Sequence, residues 1–234
     1  MKNNTLCIEF VGIWGSGKTT LINKISTLLI EDGLNIAKLS DFSDYGRSAR
    51  YALILLLFLS NPLYFYRWLL FSVKIFFILK PAGKIESDIY KTLIKTHIIK
   101  NVLLRLKRPD VLLWEGGYHL LPMFHNMNKL TDKELLFSVA TLYDCSKPYA
   151  AFIELRMETA YKRVIKDHEN GFCRFSSDEL SDLKSRYICM IENQNKIKEI
   201  LQNKFVINID GEESVDTKSS YLYRLILELF NSKI

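Results

Sequence analysis

The sequence predicts an α/β fold in three layers, a five-stranded parallel sheet with helices on both faces. Three observations carry this. The apolar run "LCIEFV" (6–11) passes directly into a glycine-rich turn and then a helical pattern. Four more strand-length apolar runs follow, alternating with helical stretches, and that alternation is the signature of a parallel sheet. No repeat, low-complexity tract or linker divides the 234 residues, so one domain over 1–234 with a full core is expected.

After the first strand, the first helix should begin near Lys18, bury Leu21, Ile22, Ile25, Leu28 and Leu29, and stop before Gly33. "NIAKLS" (35–40) reads as the second strand, followed by the polar, turn-rich "DFSDYGRSAR" (41–50). "VLLWE" (111–115) and "AAFIEL" (150–155) read as the third and fourth strands. Between them Thr131 and Glu134 form a capping-box signature for a helix through about Tyr143. A basic, glycine-containing stretch at about 166–177 is expected to act as a lid, with Ser176 and Glu179 capping the helix that follows. "KFVINID" (204–210) reads as the last strand, before Gly211 and an amphipathic helix ending near Phe230.

The stretch 51–80 interrupts this rhythm. It is apolar almost throughout apart from Arg67 and Lys74, and Pro62 divides it. Neither half reaches the roughly 20 clean apolar residues of a bilayer crossing, so two helices are expected. They either pack on the sheet or at a homodimer interface, or lie in a membrane interface with Tyr64, Tyr66, Trp68, Arg67 and Lys74 at headgroup level, or form some other partner surface.

A net charge of +6 and a pI near 9.0 suit an anionic partner. Lysines and arginines are scattered rather than clustered, which argues against nucleic-acid binding. Cys7, Cys145, Cys173 and Cys189 show neither zinc nor disulfide spacing, and fit a reducing, cytoplasmic setting. The N-terminal apolar stretch is too short for a secretory signal and runs into the glycine loop, so it is expected to be folded protein.

That loop carries the chemistry. Gly12, four residues, then Gly17, Lys18 and Thr19 give the phosphate-cradling pattern G-x-x-x-x-G-K-[ST] between a strand and a helix. Polyphosphate is held by a ring of backbone N–H groups at a helix N-terminus, and Gly12, Gly15 and Gly17 let the backbone wrap closely. Ser16 and Thr20 complete the loop, Lys18 is placed to neutralise the β and γ phosphates of ATP, and Thr19 to offer its hydroxyl to Mg²⁺.

Glu115, at the carboxyl edge of the third strand, is a candidate for the magnesium shell or for accepting an acceptor's proton, with Tyr118 and His119 beside it as pocket residues. Asp41 is a second candidate base, and Asp44, Arg47 and Arg50 candidate acceptor ligands at the same edge.

Over nearly its whole length the chain resembles the thymidylate-kinase group of P-loop kinases. The resemblance rests on "FVGIWGSGKTTL", on "GRSAR" with Gly46 and Arg50 at family spacing, on "LLWEG", on "AYKRVIK" leading to "CRF", on "SRY" at 185–187 and on "INIDGEES". It implies sheet order 2-3-1-4-5, Mg-ATP as donor, Arg163 near the adenine or phosphates, Arg174 as a lid arginine stabilising transferred charge, and Arg50 facing the acceptor. Trp14 stands where the family carries an acidic residue that touches the acceptor's sugar, and Gly116 where an arginine follows the strand-end acid. The donor side is kept while the acceptor side departs. The sequence therefore points to an ATP- and Mg-dependent kinase whose acceptor, near Trp14, is not dTMP and is a glycan or membrane-linked compound. A nucleoside or nucleoside monophosphate kinase and a nucleotide-dependent regulatory NTPase are the alternatives.

Overall fold

The computed structural model describes residues 5–81, 83–124, 149–171, 180–201 and 206–232. Its sheet has five parallel strands, β1 (Leu6–Val11), β2 (Ile36–Lys38), β3 (Val111–Trp114), β4 (Tyr149–Glu154) and β5 (Val206–Asp210), in the order β2-β3-β1-β4-β5. β1 is central and wholly buried, in register from Leu6 opposite Val111 to Glu9 opposite Trp114. Alternate side chains of a strand point to opposite faces. Leu6, Ile8 and Phe10 thus enter a core shared with Leu21, Ile25, Leu222 and Ile226, while Cys7 and Val11 enter the larger core on the other face. Each fully buried Leu, Ile or Phe stabilises the fold by roughly 1.5–3 kcal/mol.

Helix α1 (Lys18–Glu31) follows the glycine loop and ends before Gly33, whose φ of 82° is left-handed. Leu21, Ile22, Ile25 and Leu29 are buried and Leu28 is half-buried. The apolar stretch forms α2 (Arg47–Ser60) and α3 (Pro62–Leu79), starting four residues before 51. Pro62 begins α3 rather than breaking it, because a first helical residue needs no N–H partner, and the Asn61 side chain caps by accepting from the Tyr64 N–H at 3.1 Å.

The next helix, α4 (Gly83–Lys107), has no counterpart in the sequence expectations, although Ile85, Ile89 and Leu93 recur at helical spacing. It holds α3 against the protein. The Tyr64 hydroxyl accepts from Asn101 Nδ2 at 3.0 Å, and the Tyr90 hydroxyl donates to the Ser72 carbonyl at 2.9 Å. Tyr64 is therefore buried, not exposed as an interfacial residue must be. His97 is buried too, its ring centroid 5.6 Å from Tyr64 and 5.9 Å from Phe71.

The opposite face of α2 and α3 is uncovered, with Leu55, Leu56, Leu59, Tyr66, Leu70 and Phe77 each more than half exposed. Among the described residues α3 is the one helix long and apolar enough to cross a membrane, and only 28% of its residues are buried.

Short helix α5 (Gly117–Leu120) follows β3, α6 (Met157–Glu169) follows β4, and α7 (Leu183–Leu201) and α8 (Val215–Asn231) complete the layers. The expected helix at 131–143 and the Ser176–Glu179 cap lie outside the described residues, as do residues 172–177 of the expected lid.

Candidate functional site

The phosphate loop joins β1 to α1. Gly17, with a left-handed φ of 82°, ends it without any side-chain cap, so the first N–H groups of α1 are left for a ligand. Gly15 has a φ of 81°, and a Cβ there would stand 2.7 Å from the Ala160 carbonyl oxygen, so packing as well as conformation demands glycine. Lys18 is buried and bridges the loop, donating to the carbonyls of Gly12 (3.1 Å) and Ile13 (3.0 Å) and to Ser16 Oγ (3.3 Å). Burial lowers its pKa, and the nearby Glu115 carboxylate opposes that shift. Thr20 lies beside the loop at the cavity mouth. Arg163, on α6, donates to the Gly15 carbonyl at 3.3 Å.

Glu115 lies one residue past β3, half-buried, and accepts from the Thr19 hydroxyl at 3.2 Å. Its second carboxylate oxygen is 3.4 Å from His119 Nε2. His119 is buried and its pKa is held well below the usual 6.5, first by burial and then by the Lys18 charge, against a hydrogen bond to the Gly12 backbone. The imidazole is neutral at physiological pH.

Behind these residues lies Glu9, a carboxylate in the middle of β1 with no exposed surface. It accepts from the His119 backbone N–H at 2.9 Å. A Cβ on Gly116 would sit 3.3 Å from its carboxyl atoms, so the absence of a side chain after Glu115 makes room for Glu9. Sequence reasoning missed Glu9, although a charge inside the otherwise apolar run "LCIEFV" was the available signal.

A cavity of about 680 Å³ opens from the loop. One wall is Gly15, Gly17, Lys18, Thr19 and Glu115; the other is Ile85, Asp88, Ile89 and Thr92 of α4, with Leu120 and Met123 at the back. Trp14 also lines the cavity. Its carbonyl accepts from the Tyr187 hydroxyl at 2.9 Å, and the two rings lie 6.3 Å apart.

Several expected site residues lie elsewhere. Asp41 is engaged by Lys107 at 2.8 Å and accepts from the Lys38 N–H at 2.9 Å, which fastens the turn after β2 and places it away from the cavity lining. Asp44 and Arg47 are exposed and Arg50 is half-buried near the start of α2, and none of the three lines the cavity. Tyr118 is turned into the core, and burial, reinforced by Glu9, raises its pKa. Arg174 lies outside the described residues.

Among the described residues no group of three or more His, Cys, Asp or Glu is placed to hold a metal ion. Mg²⁺ does not require one, since it keeps several waters and uses one or two carboxylates together with substrate phosphates. The hard oxygens of Thr19 and Glu115, 3.2 Å apart beside the loop, fit that donor set.

Among curated proteins none matches this chain. Solved structures similar to it include the deoxyadenosine kinase from M. mycoides with bound dCTP, at 17% identity and TM-score 0.47, covering 97% of this chain and 100% of that one. The shikimate kinase from Aquifex aeolicus vf5 is similar at 16% identity and TM-score 0.43, covering 95% and 96%. A family model, the KAP family P-loop domain, matches residues 1–231. The resemblance to thymidylate kinases and this match share the P-loop NTPase superfamily. With the glycine loop, Lys18 and the five-stranded sheet all within the matched residues, the chain belongs to the KAP family of P-loop domains.

Proposed function

We propose that this chain is an ATP- and Mg²⁺-dependent phosphotransferase acting at a membrane surface, with an acceptor other than dTMP. The observation that carries this reading is the cavity of about 680 Å³ that continues from the phosphate loop past Glu115 to an apolar wall of Ile85, Ile89, Leu120 and Met123. Such a wall fits a second organic molecule bound beside the phosphates.

In this reading the loop N–H groups and Lys18 bind the ATP phosphates, the Thr19 hydroxyl would hold Mg²⁺ directly, and Glu115 would reach it only through a water. Bound Mg²⁺ supplies neutralisation of charge on the transferring phosphoryl group. Glu115 takes the proton of the attacking hydroxyl, and the neutral His119 beside it adds no cation that would draw the carboxylate away. Arg163 steadies the loop, and Arg174, by resemblance, stabilises transferred charge from the lid.

The membrane part rests on the uncovered face of α2 and α3. One stripe of α3, Tyr64, Phe71, Ile75 and Leu79, is packed on the protein, and hydrogen bonds to α4 hold it there. α3 therefore lies along the protein and offers its other face, bearing Leu70 and Phe77 beside exposed Arg67 and Lys74, to the headgroup region. That same face favours a second reading, a regulatory NTPase that signals its nucleotide state to a membrane partner.

Three measurements test this. Lys18→Ala should abolish ATP turnover, and acceptor-dependent ADP release supports transfer over regulation. Co-sedimentation with anionic vesicles at low salt tests the surface. A dimer in light scattering that does not bind vesicles would assign the α2–α3 face to a second copy instead.

A further inference from the structure

We infer that the acceptor is an uncharged, hydroxyl-bearing molecule with an apolar face, and not a phosphomonoester. The inference rests on the phosphotransferase reading above and names the substrate class of that site. Among the described residues lining the cavity Lys18 is the one lysine or arginine, and it belongs to the phosphate loop. The wall facing it carries Asp88 and Thr92, and Glu115 and Asp167 add two more carboxylates around the cavity. Asp88 pairs with Lys91 at 3.0 Å, but both side chains are more than half exposed, and Lys91 is not part of the lining.

A phosphomonoester acceptor brings two negative charges of its own to the side away from the ATP. Enzymes that take one supply arginines there, because a bidentate guanidinium matches phosphate oxygens. Here Arg47 and Arg50, which follow β2 at the carboxyl edge of the sheet, are not among the residues that line the cavity. What the wall does supply is the partly exposed ring of Trp14, the side chains of Ile85 and Ile89, and oxygens on Asp88 and Thr92 able to accept hydroxyl hydrogens. An aromatic ring and carboxylates lining one cavity suit a sugar or nucleoside ring, whose faces are apolar and whose edges carry O–H donors.

The acceptor oxygen forms a bond to the γ-phosphorus, the bond from that phosphorus to the β–γ bridging oxygen breaks, ADP leaves with the electron pair, and the hydroxyl proton passes to Glu115.

The test uses matched pairs on the full chain: thymidine against thymidine monophosphate, deoxyadenosine against its monophosphate, methyl glucoside against glucose 6-phosphate. ADP release and tryptophan fluorescence are read, with Trp14→Phe as the fluorescence control. The expected result is that one neutral member raises kcat/KM for ADP release at least about tenfold over its phosphorylated partner. It also changes a fluorescence signal that Trp14→Phe removes, and Asp88→Lys narrows the preference. Which pair responds separates a nucleoside from a glycoside source. A phosphorylated member that works equally well or better overturns the inference. Steady ATP hydrolysis that no member alters, with unchanged fluorescence, overturns it too while leaving nucleotide turnover standing. Failure to bind or turn over ATP at all would instead remove the reading on which it rests.

Discussion

The Thr19 hydroxyl donates to the Glu115 carboxylate across 3.2 Å, joining the first turn of α1 to the end of β3. Two parts of the chain 96 residues apart thus meet beside the phosphate loop. Glu115→Gln keeps the shape and the contact but removes the proton acceptor. Turnover should fall by about two orders of magnitude or more while ATP affinity, measured by calorimetry, changes little. Unchanged turnover would remove Glu115 from proton transfer.

Gly15 and Gly17 share a left-handed backbone but differ in surroundings. A Cβ on Gly17 meets nothing within 4 Å, whereas one on Gly15 meets the Ala160 carbonyl at 2.7 Å. Gly17→Ala should cost about 1–2 kcal/mol from conformation alone. Gly15→Ala should cost more and push the loop away from α6, weakening ATP binding more than tenfold. Thermal melts with and without nucleotide separate the two effects.

The uncovered face of α2 and α3 should be separable from the fold. Replacing Leu56, Leu59 and Phe77, all well exposed, with serine should leave stability within about 0.5 kcal/mol per site and reduce vesicle binding severalfold. Phe71→Ala, at a position 1% exposed, should cost about 3–5 kcal/mol. Vesicle binding untouched by the serine variant would dismiss the proposed surface.

The depressed pKa of Glu212 gives stability a pH dependence of definite direction. Its carboxylate accepts from Arg156 Nε at 2.7 Å and from the Thr159 hydroxyl at 3.1 Å, and the Arg156 hydrogen bond is the main cause that holds its pKa below the usual 4.5. A depressed carboxylate pKa means that the unfolded state binds the proton first as pH falls. The contribution is therefore present in full above about pH 4.5 and is lost as pH falls through the folded-state value. Wild type and Glu212→Gln should differ in Tm at pH 7, and the gap should close below pH 4.5.

Some of this was readable from local pattern and some was not. All five strands and the first helix announce themselves through short apolar runs and glycine stops, since both depend on neighbours in sequence. The phosphate loop is legible for the same reason. The far wall of the cavity is not, because α4 packs against elements distant in sequence and its Ile85, Asp88 and Ile89 face a loop some 70 residues earlier. Glu9 meets the His119 N–H 110 residues away, and only the folded sheet explains why Gly116 has no side chain. Asp44, Arg47 and Arg50 follow β2 at the expected edge, where the chain turns into α2, and none of the three is among the residues lining the cavity.

Transfer and hydrolysis separate when the label is followed from ATP carrying a marked γ-phosphate, with magnesium and a membrane-plus-cytosol extract as acceptor source, and the products are resolved. Transfer of the label to an organic phosphate, abolished by Lys18→Ala and strongly reduced by Glu115→Gln, is the predicted result. Label appearing only as inorganic phosphate, at a rate that no acceptor changes, would contradict it and leave a nucleotide hydrolase in its place.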